Sequence, residues 1–361
     1  MSVVIKLRVI ISAGGTGGHI YPALSILKKI KEKEPKSEIL YIGTTKRMEA
    51  KIVPEMGINY VGVNVIGLKK DLSILKAGPL FLKAIHKCKK IMKEFKPDVV
   101  IGVGGYITAP VIYSAKKLGI KTVIHEQNSI PGKSNLFLEK YTDKILISLP
   151  GSNKYFKGNV VLTGNPRSQE AYFCKAKAKS ELGLTKNKKL VLIVMGSLGS
   201  TTISNALMEI IPKFNGKDYE VMIVSGKDYY DKYPKDLPKN VIVVPFINDM
   251  VNILKNVDVM VTRAGASTIA EILAIGLPSI LVPSPYVANN HQYFNAKELV
   301  DHGAGMLLEE KDFNASTLLK KIDLLLTNSV LYNSICENAK KLGVISSCDK
   351  IYEEIKKVVR G

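Results

Sequence analysis

Short aliphatic runs alternate with amphipathic stretches along the chain. Val9-Ile10-Ile11 contains no polar residue, as expected of a strand in a parallel sheet covered on both faces. Ala13-Gly-Gly-Thr-Gly-Gly-His19 follows, and then Leu24, Leu27 and Ile30 recur at helical spacing with lysines opposite. Pro22 is expected in the first turn of that helix, where its missing N–H costs little. Ile39 to Ile42 completes a strand, glycine loop, helix, strand unit. The same grammar returns at Val99–Val103 before Gly104-Gly105, at Val191–Met195 before Gly196-Ser-Leu-Gly199, and at Val259–Thr262 before Ala264-Gly-Ala266. Such alternation predicts an α/β architecture with mostly parallel sheets.

Asp98-Val-Val-Ile-Gly-Val-Gly-Gly-Tyr-Ile-Thr108 aligns without a gap on Asp258-Val-Met-Val-Thr-Arg-Ala-Gly-Ala-Ser-Thr268. Two Rossmann-like halves would produce this match, and so would the grammar shared by any two strand-turn-helix units. With 361 residues the chain is long enough for two domains, each burying its own core. The expected division is 1–163, 164–340 and a terminal segment 341–361. Ile351, Ile355 and Val358 form one helical stripe in that segment, which is expected to pack back on the N-terminal domain.

Composition narrows the class. A hydrophobic fraction of 46% with 23% charged residues excludes a disordered or low-complexity polymer. The four cysteines, Cys88, Cys174, Cys336 and Cys348, form no CxxC pair, which fits a reducing cytosol. Lys6 and Arg8 interrupt the first apolar run, so no signal peptide is expected. Two charge-free stretches, Val99–Ala115 and Ile272–Ala296, are broken by glycines and prolines, whereas a spanning helix needs about 20 mainly apolar residues.

Gly14 to His19 has the composition of an anion-binding loop, since glycines before a helix let the backbone approach a phosphate and offer N–H groups to it. It lacks the GK[ST] of a Walker loop, and Ile20 stands where a dinucleotide GxGxxG would need its third glycine. A tight turn would need one glycine, whereas four of five consecutive positions here are Gly, so phosphate or pyrophosphate binding is the favoured reading. Beside such a loop His19 is a candidate base or phosphate ligand. Arg263 to Glu271 surrounds a second helix start with amides and hydroxyls, and Glu271 is placed to accept ribose hydroxyls. Pro283–Gln292 ends in Asn289-Asn-His-Gln292, side chains suited to sugar hydroxyls. Lys69 to Lys96 carries nine lysines against Asp71 and Glu94, with Leu72, Ile74, Leu75, Leu80, Phe81 and Leu82 among them. A Phe81, Ile85, Cys88, Met92 stripe is expected to be core, while the remaining apolar and basic residues suit an anionic membrane surface.

Taken together, Gly14–His19, Gly104-Gly-Tyr106, His125-Glu-Gln-Asn-Ser-Ile-Pro-Gly132, Thr163-Gly-Asn-Pro-Arg167, Gly196-Ser197, Arg263–Glu271 and His291-Gln-Tyr-Phe-Asn-Ala296 resemble, in order and spacing, the bacterial MurG glycosyltransferases over nearly the full length. The resemblance implies a GT-B fold, two Rossmann-like domains facing a cleft. It also implies inverting transfer of GlcNAc from UDP-GlcNAc to the C4 hydroxyl of undecaprenyl-pyrophosphoryl-MurNAc-pentapeptide in peptidoglycan synthesis. By that resemblance donor contacts fall on Thr16, Gly17, Gly18, Asn128, Arg167, Ser197, Ile247, Ala266, Ser267, Thr268, Glu271 and Gln292. The acceptor pyrophosphate falls to Gly14, Gly15, Gly104, Gly105 and Tyr106. Leu72, Leu75, Leu80, Phe81, Lys83, Lys87 and Lys90 would form a membrane patch. His19 is the first candidate base and Glu126 the second.

No metal site and no cofactor are expected: no DxD-like pair is present, and helix N-terminal amides can receive the leaving diphosphate. Expected partners are UDP-GlcNAc, the lipid-linked muramoyl-pentapeptide, an anionic membrane surface on its cytoplasmic face, and wall-synthesis proteins. Many family members carry Gln where this chain has Leu198 and His291, so amide contacts there are expected to change. A GT-B transferase acting on a glycerolipid is the alternative. The net charge of +20 raises nucleic-acid binding, but no RNA-binding aromatic signature or DNA-reading module accompanies it.

Overall fold

The computed structural model describes residues 6–65, 74–195 and 201–361, with 74–77 as backbone only. The chain divides into two compact units, Met1–Arg167 with Ser346–Gly361, and Ser168–Ile345. In the first, strands β1 (Arg8–Ser12), β2 (Glu38–Thr44), β3 (Tyr60–Val63), β4 (Val99–Gly102), β5 (Lys121–Glu126), β6 (Lys144–Ile147) and β7 (Val160–Leu162) form a parallel sheet in the order β3-β2-β1-β4-β5-β6-β7. Val9 and Ile11 face a core that contains Ile20, Leu24, Leu27 and Ile30 of the helix Gly17–Lys33 and Ile351 and Ile355 of the helix Ser347–Arg360. Ile10 faces the opposite core, with Ile42, Val100, Ile112, Cys88 and Met92. Each such side chain contributes roughly 1.5–3 kcal/mol of burial, which is why β1 carries no polar residue between Val9 and Ile11.

In the second unit, β8 (Lys189–Val194), β9 (Tyr219–Val224), β10 (Val241–Val244), β11 (Val259–Thr262), β12 (Ser279–Leu281) and β13 (Met306–Leu307) are again parallel, ordered β10-β9-β8-β11-β12-β13. The aligned aspartates occupy corresponding places. Asp98 accepts the N–H of Arg8 at 2.7 Å, and Asp258 accepts that of Leu190 at 2.8 Å, each fastening the start of the fourth strand to the first strand of its sheet.

Chain order reverses between β1 and β4 in one sheet and between β8 and β11 in the other. In doubly wound sheets the carboxyl ends of such a pair bound the crevice where ligands sit. The segments leaving those ends are the Ala13–His19 and Val103–Tyr106 loops, and in the second unit Arg263–Gly265 and a segment that includes 196–200, outside the described residues.

Two local expectations change. The first helix begins at Gly17, which puts Pro22 in its second turn, buried against the core. The helix Ile74–Phe95 buries Ala84, Cys88 and Met92, while Phe81 and Ile85 are only half-buried at the edge of its stripe.

Candidate active site

In the first unit the two switch-point loops interlock. Gly14 N–H donates to the Gly104 carbonyl at 3.2 Å and Gly15 N–H to Glu49 Oε2 at 3.1 Å. These amides, expected to receive a pyrophosphate, are engaged inside the protein, where they shape the loop. A Cβ on Gly14 would strike the Glu49 carboxylate, one on Gly104 the His19 ring, and one on Gly105 the Gly14 carbonyl. Gly104 and Gly105 also adopt φ of 109° and 89°, where an L side chain is strained. The N–H groups for which the helix itself provides no acceptor are those of Thr16, Gly17 and Gly18 at the start of Gly17–Lys33. There the helix dipole favours an anion. Tyr106, at the end of the second loop, is exposed.

His19 is half-buried, with Nδ1 at 3.1 Å from the Gly14 carbonyl and 3.5 Å from Thr16 Oγ1. A carbonyl can only accept, so Nδ1 carries a proton, and in the neutral ring the lone pair resides on Nε2.

His125 and Glu126 end β5 and are both buried. Glu126 accepts from the Asn128 N–H at 2.9 Å, Asn128 Nδ2 at 3.2 Å, the Gly132 N–H at 2.9 Å and Asn135 Nδ2 at 2.8 Å. Four donors match the roughly four lone-pair positions of a carboxylate. Glu126, the second candidate base, therefore organises the 127–132 loop with its acceptor positions engaged inside the protein. Asn128 is held in that loop through the same carboxylate.

His125 Nε2 donates to the Gly164 carbonyl at 3.0 Å, and Nδ1 accepts from Gln127 Nε2 at 3.0 Å. Burial lowers its pKa to about 4 against the opposing effect of the Gly164 bond. The unfolded chain binds this proton below about pH 6.5 and the native state only near pH 4, so stability is complete above the first value and declines as pH falls towards the second. The loss reaches roughly 3 kcal/mol at 1.36 kcal/mol per unit. Urea midpoints measured from pH 7 to 4.5 should fall, and less steeply in His125→Gln; equal slopes would assign the acid sensitivity elsewhere. The Thr163–Arg167 segment is fixed next to this bond, where Asn165 Oδ1 accepts the Arg167 N–H at 3.1 Å.

In the second unit the helix Ala266–Ile275 starts directly after β11 with Gly265 as its N-cap and no acidic residue in its first turn. Its opening amides belong to Ala266, Ser267 and Thr268, and Glu271 is buried one turn further in. The preceding loop is pinned on both sides. Arg263 pairs with Glu310 at 2.6 Å and donates to the Val282 carbonyl at 3.2 Å, while Asn295 Nδ2 donates to the Ala264 carbonyl at 3.2 Å. Gln292 Oε1 accepts the Ser284 N–H at 2.9 Å, which fixes the side-chain amide and directs its NH2 elsewhere. Asn289 and Asn290 take left-handed φ of 54° and 50°, a conformation asparagine tolerates. Ile247 is half-buried beside exposed Phe246 after β10. Ser197 and Leu198 lie outside the described residues, as do Leu72 and the Leu75 side chain.

Of the remaining basic and apolar set, Leu82, Lys83 and Lys90 are exposed, Leu80 and Phe81 are half-exposed, and Lys87 Nζ donates to the Gly62 carbonyl at 2.8 Å. No helix among the described residues is long and apolar enough to cross a membrane. Sequence reading missed Glu49 and Glu310, because each meets its partner only through the fold and neither lies in a recognisable motif.

Residues 9–147 match the glycosyltransferase family 28 N-terminal domain and residues 190–346 its C-terminal domain. The chain is 44% identical to the UDP-N-acetylglucosamine--N-acetylmuramyl-(pentapeptide) pyrophosphoryl-undecaprenol N-acetylglucosamine transferase of Bacillus cytotoxicus, across 98% of this chain and 100% of that one. It is 41% identical to the enzyme of the same name from Pediococcus pentosaceus, across 98% and 99%. The crystal structure of Acinetobacter baumannii MurG superposes with a TM-score of 0.80 at 26% identity, covering 97% of this chain and 99% of that one. With both domains matched in order and relatives aligned end to end, the chain belongs to glycosyltransferase family 28.

Proposed function

We propose that this protein transfers GlcNAc from UDP-GlcNAc to the C4 hydroxyl of undecaprenyl-pyrophosphoryl-MurNAc-pentapeptide, with inversion. The observation that carries the reading is a switch-point glycine loop bearing a histidine with its lone pair on Nε2, in a chain aligned end to end with transferases of that name. In this reaction His19 Nε2 takes the C4 hydroxyl proton as the oxygen attacks the anomeric carbon and the bond to UDP breaks on the opposite face. The Thr16, Gly17 and Gly18 amides close over the reacting donor sugar and the acceptor pyrophosphate, with Gly104, Gly105 and Tyr106 bounding the latter. On the donor side the Ala266–Thr268 amides receive the departing diphosphate, as helix N-termini do for anions. Glu271 holds the ribose, Gln292 donates to GlcNAc hydroxyls and Ile247 contributes to the nucleotide site; Ser197, Asn128 and Arg167 keep the donor roles that the resemblance implies for them.

No cofactor beyond the donor is required in this scheme. Exposed Leu82, Lys83 and Lys90, with Lys140 over the Phe137 and Tyr141 rings at 5.9 and 5.2 Å, support peripheral binding to an anionic cytoplasmic membrane face. The test is UDP release from UDP-GlcNAc in EDTA, with and without the lipid-linked muramoyl-pentapeptide. Acceptor-dependent release is expected; its absence with folded protein would overturn the proposal.

A further inference from the structure

We infer that Glu49 is a positioning residue which selects the His19 tautomer through a single peptide group, an inference that rests on the reading of His19 as the base. Glu49 is fully buried. Its Oε1 accepts the Thr44 hydroxyl at 2.6 Å and the Thr44 N–H at 3.1 Å, which fastens the carboxylate to the end of β2. Its Oε2 accepts the Gly15 N–H at 3.1 Å. That N–H belongs to the same trans peptide as the Gly14 carbonyl, and the two dipole ends of a planar peptide point in opposite directions. With the N–H directed at Glu49, the carbonyl is directed at His19 Nδ1, 3.1 Å away.

The chain of bonds runs from carboxylate to peptide to imidazole. It resembles an acid and histidine pair with one amide inserted between them, and hydrogen bonds in series polarise one another. A peptide turned the other way would present its N–H to Nδ1, move the ring proton to Nε2 and leave no lone pair for the acceptor hydroxyl. The glycines fit this purpose. A side chain on Gly14 would displace the Glu49 carboxylate, and one on Gly104 would displace the ring. Gly15 takes φ of 92°, a conformation glycine adopts at little cost.

The test uses Glu49→Gln in the full-length protein. A Gln amide cannot serve Thr44 and Gly15 together, because one of its ends donates. Nitrogen-15 spectra of histidine-labelled protein at about pH 8, above the ordinary histidine range, should show His19 protonated on Nδ1 in the native protein and on both nitrogens in exchange in the variant. Turnover should fall about 10- to 100-fold, the usual cost of losing a group that orients a functional histidine, with the UDP-GlcNAc KM changed less than about threefold. In a His19→Ala background the same substitution should cost less than about twofold.

An unchanged tautomer, or equal losses in both backgrounds, would overturn the inference. Glu49→Asp keeps the charge and shortens the reach to Gly15, so it carries the same measurements if Glu49→Gln does not fold. The tautomer is read without turnover. A native protein that transfers no GlcNAc yet shows the tautomer change would refute the proposed function and leave the relay standing.

Discussion

His19→Ala should lower turnover by about 10²- to 10³-fold while leaving UDP-GlcNAc affinity, measured by calorimetry, within about threefold. Positioned bases contribute this much because they remove a proton as the bond forms, a demand that exists only in the transition state. The donor amides assigned to UDP lie on a different unit, at Ala266–Thr268, so ground-state nucleotide binding has no reason to follow. His19→Gln tests the chemistry further. Its side-chain amide can restore a hydrogen bond towards Gly14 but cannot accept a proton at neutral pH. Equal losses in the two variants would assign the defect to basicity. Near-normal turnover in either would remove His19 from the mechanism.

The second large effect is on stability. Glu310→Ala should strand the Arg263 guanidinium, whose side chain is 10% exposed against 7% for Glu310. Removing one partner of a buried pair costs about 3–5 kcal/mol, because the remaining charge is desolvated without compensation. The Val282 carbonyl still accepts one Arg263 bond, so the lower end of that range is expected. For a unit of this size it corresponds to a fall of roughly 6–12 °C in Tm, read by calorimetry as the transition of the second unit. The double replacement Arg263→Met with Glu310→Met should recover most of the loss, since the desolvation penalty goes with the charges. A fall of less than about 1 kcal/mol in Glu310→Ala would mean that water reaches the pair and screens it.

The two predictions concern residues of different visibility in the sequence. His19 was legible because it ends a glycine run that follows an aliphatic strand, a local pattern. Glu310 was not, since nothing around Leu307-Leu-Glu-Glu-Lys311 marks it as a partner of Arg263. The same contrast separates Glu126 from Glu49. Glu126 attracted notice inside a polar motif, yet the fold surrounds it with four donors and makes it a loop organiser. Glu49 followed β2 without a motif, and the fold brings it across 34 positions to Gly15.

What the sequence by itself determined was the alternation of strands and helices, the parallel sheets and the glycine loops at their carboxyl ends. Those features are set by periodicity and backbone freedom within a dozen residues, and both can be read locally. It also carried the family, because a set of spaced motifs is a one-dimensional object. Only the tertiary structure decided which amides remain for a ligand, since Gly14 and Gly15 look like donors until Gly104 and Glu49 arrive from elsewhere in the chain. Hydrogen-bond satisfaction and burial depend on neighbours distant in sequence, and no local pattern records them.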